Sequence, residues 1–394
     1  MKADRVYLDW AAATPLLPAA KFAMEPYLTE CFGNPSAIHA EGQLCRNAVE
    51  EARATVAAAV QVRPEFITFT SGGTEGNNLA IFGVVESLAQ SGRSYESMTV
   101  ITTKIEHPSV GETCAALKRR GVGVRYAQVT ETGKVDLEHL RTLLDESIVL
   151  FSTALINSEI GTIQPAHAIR KILKTAEEQY GTVMLFHLDA AQAPLWVNCQ
   201  FDSLSSDFVT LDAAKCSGPK GVGALIRSRR TNLSPVVYGG GQESGLRPGT
   251  ENVAGIVGAA VALSEAQDNY QTRSESVSAI RDQAIELIQT ELPQVLINGA
   301  IADGRVANNI NISIPGLDTE FAAVVLDKHG FAVSTKSACS GAGGGASTVV
   351  QETTADPARA ASTLRITLGP DTTREQLQSL TAVLKQHVKQ MSQY

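Results

Sequence analysis

The sequence predicts an α/β layer architecture around a mostly parallel sheet, and three observations carry that expectation. Short, nearly unbroken β-rich apolar runs, the signature of strands covered on both faces, occupy residues 66–70, 98–102, 148–152, 183–188 and 208–211. Helical patterns long enough to act as crossovers separate most of them, at 40–60, 77–89, 109–120, 137–144 and 166–179. Residues 251–289 then read as almost wholly helical, and strands and helices resume beyond Pro293. That long helical stretch marks the expected boundary between a larger and a smaller domain.

Composition limits the function classes. A chain of 394 residues has material for about two or three domains and a large core. Apolar residues make up 44% and charged residues 19%, with a mean hydropathy of −0.01, which excludes a disordered chain and a helical membrane protein. The net charge of −8 disfavours a phosphate backbone as partner. Six cysteines, at 31, 45, 114, 199, 216 and 339, form no C-x-x-C pair and read as reduced thiols, so a cytoplasmic setting is expected. Residues 1–17 contain Asp4, Arg5, Asp9 and Pro15, and no apolar core of a signal peptide is expected there.

Four places could carry chemistry. Thr70-Ser71-Gly72-Gly73-Thr74-Glu75-Gly76-Asn77 joins a predicted strand to a predicted helix, where small residues, the first amides of the helix and the Thr74 hydroxyl would suit a phosphate. The same segment would also serve as an ordinary capped turn, and it is neither G-x-G-x-x-G nor a Walker loop. Asp189 follows the end of a buried strand, where ligands collect in open α/β sheets, although a helix N-cap is the plainer role. Ionised, it could keep a heterocyclic nitrogen protonated. Lys215 sits where another strand runs into the turn Gly218-Pro219, close enough in the chain to share that sheet edge and form a Schiff base; a surface lysine is the alternative. Cys339 precedes the Gly-rich run 340–347, a loop that would give a nucleophilic thiol access and freedom. The other five cysteines lie in helical or strand patterns and are expected to pack.

Together these elements resemble the cysteine desulfurases, a class V, fold-type I group of pyridoxal-phosphate (PLP) enzymes, over nearly the whole chain. The resemblance rests on Tyr7-Leu8-Asp9-Trp10-Ala11-Ala12, Gly33-Asn34-Pro35-Ser36-Ala37-Ile38-His39, Gly73-Thr74-Glu75, Glu106-His107, Asp189-Ala190-Ala191-Gln192, and Lys215 with Gly218-Pro219-Lys220-Gly221. It continues through Gly239-Gly240-Gly241-Gln242-Glu243, Arg247-Pro248-Gly249-Thr250, Ser337-Ala338-Cys339 and Leu364-Arg365-Ile366-Thr367-Leu368-Gly369.

The resemblance implies a large PLP domain over 14–262 with a mostly parallel seven-stranded sheet. A smaller α+β domain, built from 1–13 and 263–394, would carry the catalytic cysteine loop. It implies that Lys215 holds the cofactor, Asp189 keeps the pyridine nitrogen protonated, His107 stacks on the ring and Gln192 bonds the ring hydroxyl. Gly73 and Thr74 would cradle the phosphate, with Thr250 completing the phosphate site of a neighbouring subunit in a homodimer. Arg365, with Asn34 and Ser158, would bind L-cysteine. The Cys339 thiolate would take the substrate sulfur as a persulfide, release alanine and pass the sulfur to an iron-sulfur scaffold or a thiolation protein.

Four positions depart from the family pattern. Ala214 stands where His is usual before the lysine, Asp212 where Ser is usual, Ser158 in place of the second Asn of Asn-Asn-Glu-Ile-Gly, and Trp10 in place of Asn. An Asp beside a phosphate is repulsive unless it turns away or is protonated. These departures leave open an aminotransferase, a selenocysteine or cysteine-sulfinate lyase, or a partner-binding homologue without catalysis.

Overall fold

The computed structural model describes residues 5–335 and 345–391. Its main sheet contains β1 (Ile67–Thr70), β2 (Thr99–Thr103), β3 (Gly123–Ala127), β4 (Ile148–Ala154), β5 (Leu185–Asp189), β6 (Phe208–Asp212) and β7 (Gly223–Arg227). Their order across the sheet is β1-β7-β6-β5-β4-β2-β3. The pairs β2–β3, β2–β4, β4–β5 and β5–β6 are parallel, while β7 runs antiparallel to β1 and β6. The sheet is therefore mostly parallel and seven-stranded, as the resemblance implies. β3 and β7 are additions to the runs legible in the sequence. β3 is a half-exposed edge strand containing Arg125, and β7 lies between a glycine and an arginine.

The apolar runs are unbroken because each strand feeds two cores. Ile101, Phe151, Phe186, Val209 and Ile226 face one side. There they meet α1 (Ala40–Val60), α4 (Ala166–Tyr180) and α5 (Val253–Asp268) through Val56, Ile169, Leu173, Ile256 and Leu263. Their neighbours Val100, Leu150, Leu185, Phe208 and Leu225 face the other side, under α2 (Gly73–Gln90) and α3 (Pro108–Arg119), which supply Ile81, Val84, Val110 and Leu117. Period-two alternation thus sorts side chains between two buried layers.

The stretch expected as one helical run is two helices. α5 ends at Asn269 and α6 (Tyr270–Glu291) follows directly, packing against the last helix. Beyond it, β8 (Leu296–Ile297), β9 (Asn309–Ser313) and β10 (Thr363–Thr367) form a separate antiparallel sheet in the order β10-β9-β8. α7 (Thr319–Lys328) and α8 (Arg374–Met391) pack beside it. Val6–Tyr7 pairs in parallel with Phe331–Ala332, so the first residues join the late part of the chain.

Cys45, Cys114, Cys199 and Cys216 are buried and Cys31 half-buried. Cys31, Cys199 and Cys216 lie in connections rather than in the helix or strand patterns expected of them. Burial pushes the Cys114 and Cys216 thiols up to about 12, so both remain protonated packing groups at neutral pH. Cys339 lies outside the described residues, as does most of the Gly-rich run. Ser347, the last residue of that run, caps the helix Thr348–Thr354 by accepting from the Val350 amide at 3.0 Å. Among the described residues no helix is long and apolar enough to cross a membrane.

Candidate active site

The carboxyl ends of β1, β2, β4, β5 and β6 open into one cleft of about 860 Å³, open space included. A cleft of this size at this edge is where α/β sheets place their ligands. Gly73, His107, Ser158, Asp189, Gln192, Lys215 and Arg365 all line it.

Asp189 ends β5 and is 8% exposed. Its Oδ1 accepts from the Ala191 amide at 3.0 Å and its Oδ2 from Asn77 Nδ2 at 2.7 Å. Burial raises its pKa, while these donors and the nearby His107 act in the opposite sense.

Asn77 was not singled out in the sequence, yet it organises this half of the site. Its Nδ2 also donates to Ser109 Oγ at 2.8 Å, and Ser109 Oγ lies 2.7 Å from His107 Nδ1. Ser109 Oγ accepts from Asn77, so its own proton points to His107 Nδ1, which also accepts the Ser109 amide at 3.1 Å. Nδ1 is therefore an acceptor, and the neutral ring carries its proton on Nε2. His107 is at the same time the N-cap of α3. The signal that could have found Asn77 is its place one turn into α2, on the face turned toward β5.

Lys215 lies in a short 3-10 turn after β6, and its Nζ donates to the carbonyl oxygens of Ala11, at 3.1 Å, and Ala12. Gln192 Nε2 donates to the same Ala11 carbonyl at 2.9 Å. Arg365, on β10, is 1% exposed. Its Nη1 donates to the Ser158 carbonyl at 3.0 Å and its Nη2 to Asp9 Oδ1 at 2.8 Å, while Nε is buried without an acceptor among the described residues. A buried unsatisfied donor on a guanidinium at a cleft wall suits an incoming anion. Asp9, like Asn77, was quoted or passed over in the sequence without a role.

Glu106 lies in the connection after β2. It accepts from Thr103 Oγ1 at 2.6 Å, Thr153 Oγ1 at 2.8 Å and the Ala154 amide at 2.6 Å, and burial pushes it up to about 7. It ties β2 to β4 beneath the His107 turn.

Three candidates stand elsewhere. Thr74 is exposed in the first turn of α2, outside the walls of the cleft but beside His107 on a neighbouring shallow surface. Asn34 is exposed in a turn, with its Oδ1 accepting the Ser36 amide at 2.9 Å, and does not reach the cleft within this chain. Thr250 is likewise exposed and away from it.

The residues fit PLP at the ring end. A fixed carboxylate, an imidazole of defined tautomer and a lysine share one pocket, and Asn77 Oδ1 is buried there without a partner. At the phosphate end the first amides of α2 are present, flanked by Asp212. The model for the aminotransferase class-V family matches residues 6–380. A cysteine desulfurase IscS of Dictyoglomus turgidum is 38% identical over 98% of this chain and 95% of its own. A solved NifS-like protein superposes with a TM-score of 0.89 at 31% identity, covering 98% of this chain and 99% of its own. A structure of SspA in complex with cysteine gives 0.78 at 29%, covering 93% and 100%. The chain belongs to the class-V aminotransferase family and, within it, to the PLP-dependent cysteine desulfurases.

Proposed function

We propose that this protein converts L-cysteine to L-alanine and captures the sulfur on Cys339 for delivery to an acceptor protein. The observation that carries the reading is the meeting of Lys215, Asp189, His107 and Arg365 at one cleft, on a chain with full-length cysteine desulfurase relatives. PLP, when bound, supplies the electron sink that makes the α-proton of an amino acid labile. Lys215 would hold the cofactor and afterwards carry the α-proton; Asp189, fixed by Asn77 and Ala191, would keep the ring nitrogen protonated. His107 would lie against the ring, Gln192 beside its hydroxyl, and Gly73 with Thr74 at the phosphate. Arg365 would take the substrate carboxylate. The Cys339 thiolate would attack the substrate sulfur: the carbon–sulfur bond breaks, a sulfur–sulfur bond forms, and alanine leaves.

Residues 14–262 would form the cofactor domain and 1–13 with 263–394 the smaller one. A homodimer is supported by exposed apolar side chains at Phe22, Leu28, Phe32, Ile38, Val237 and Tyr238, with the stretches that carry Ile38 and Tyr238 brought together where Gln242 Nε2 lies 3.4 Å from Ser36 Oγ. In that dimer Thr250 would serve the phosphate of the neighbouring subunit and Asn34 would come within reach of substrate. An iron-sulfur scaffold or a thiolation protein would accept the persulfide in the cytoplasm.

The test measures alanine and sulfide released from L-cysteine with PLP present. Lys215→Ala is expected to lose activity by at least about a thousandfold. Cys339→Ala is expected to keep the visible absorbance of bound PLP and stop forming alanine. Undiminished alanine from Cys339→Ala would point instead to a lyase acting without a persulfide.

A further inference from the structure

Asp212 is the one site departure that brings a charge. It ends β6, and its Oδ1 accepts the Ala214 amide at 2.9 Å. Its Oδ2 lies 3.4 Å from the Gly73 amide, the first residue of α2. That helix is 18 residues long, and its N-cap, Gly72, has φ 146° and no side chain to offer. The Asp212 carboxylate thus stands at the helix N-terminus where an acidic cap would stand. A Cβ placed on Gly73 would meet Asp212 Oδ2 at 3.4 Å and Asp212 Cβ at 3.5 Å, so the carboxylate reaches up to this turn.

The surrounding charges do not neutralise it. Glu75, in the same first turn, takes the Ser71 amide at 2.5 Å and pairs with Arg247 at 3.2 Å. Asp189 on β5 feels Asp212 as a like charge, and so does the buried Cys216 thiol. His107 lines the cleft with its Nδ1 held by Ser109, and Lys220 is held by the Thr14 carbonyl at 2.9 Å. Lys215 Nζ is directed to the Ala11 and Ala12 carbonyls.

We propose that Asp212 is an affinity-setting residue for the cofactor: its carboxylate occupies the first amide of α2, at Gly73, and competes there with the PLP phosphate. PLP then binds more loosely than in a chain with a neutral residue here. The proposal rests on the cofactor reading above.

The experiment is equilibrium binding of PLP, and of pyridoxal, which lacks the phosphate, to the cofactor-stripped full chain. The chain as it stands is compared with Asp212→Asn and with Asp212→Ser, which keeps an oxygen for the Ala214 amide. At pH 8 both variants are expected to bind PLP on the order of a hundredfold more tightly, while pyridoxal affinity changes by less than about threefold. Equal PLP affinity in parent and variants, or an equal gain for pyridoxal, overturns the role of Asp212 alone. No PLP binding by parent or variants, with their circular dichroism unchanged, overturns the cofactor reading together with it.

Discussion

Two buried groups make opposing contributions to stability between pH 5 and 7, and single substitutions should unmask each. His187 on β5 is fully buried, with Nδ1 2.8 Å from Ser152 Oγ on β4 and Nε2 2.9 Å from Thr210 Oγ1 on β6. It is a strand-to-strand clip, and burial lowers its pKa from 6.5 to about 3. Below pH 6.5 the unfolded chain takes up a proton that the folded ring refuses, so acidification from pH 7 to 5 destabilises by about 2 kcal/mol. Glu106 acts with the opposite sign: its carboxyl moves from 4.5 up to about 7, so the folded state holds a proton that the unfolded state releases. The same acidification therefore stabilises by about 2 kcal/mol through Glu106, and the two effects nearly cancel. The assay is urea unfolding of the parent, His187→Gln and Glu106→Gln at both pH values. From pH 7 to 5, the stability of His187→Gln relative to parent should rise by about 2 kcal/mol, and that of Glu106→Gln should fall by about 2 kcal/mol. The constant cost of each substitution drops out of the comparison. Relative stabilities that move by less than about 0.5 kcal/mol would refute the assignment of these titrations.

Three further outcomes follow from the ion pairs of Arg53 and Arg365. Glu243 grips Arg53 through two hydrogen bonds of 2.8 Å and also accepts the Phe69 amide at 2.9 Å. Glu243→Ala should therefore cost about 3–5 kcal/mol in urea unfolding by stranding the arginine. Glu50→Ala, which removes an exposed partner of the same arginine, should cost under about 1 kcal/mol. Arg365→Lys keeps the charge but loses the fork that reaches Ser158 and Asp9 together, and should raise KM for L-cysteine roughly tenfold or more with a smaller change in kcat.

The α/β class was legible because both faces of the central strands are covered, which turns each strand into an apolar run that needs no long-range information. β7 was not legible because its five residues lie inside a Gly-rich segment and pair with β1 and β6, neighbours set by topology alone. Lys215 and Asp189 could be read from their positions after strands, where chain order and sheet order agree. The helix position of Asn77 was readable, but neither its partner nor that of Asp9 was. Their roles rest on which side chain meets them from another element: Asp189 lies 112 residues from Asn77, and Arg365 lies 356 residues from Asp9. Asn34 and Thr250 show the converse, a family pattern matched in sequence whose side chains point away from this chain's own cleft.

The four departures from the family pattern differ in physical weight. Ser158 meets Arg365 through its carbonyl oxygen, so exchanging an amide side chain for a hydroxyl leaves that contact intact. Ala214 likewise engages through its carbonyl, which accepts both the Thr14 amide at 3.1 Å and the Thr14 hydroxyl at 3.0 Å. Trp10 lies over Gly369, where an added Cβ would come within 2.3 Å of the indole, so its constraint falls on the packing of the small sheet's edge. In these three the main chain or a glycine absorbs the change. Asp212 alone acts through its side-chain oxygens, on Ala214 and on the first amide of α2, at the end of the cleft where a dianion would sit. Divergence that acts through a side chain is thus concentrated in one carboxylate, and under the proposal above its consequence would fall on how firmly the cofactor is held before it fell on the chemistry done with it.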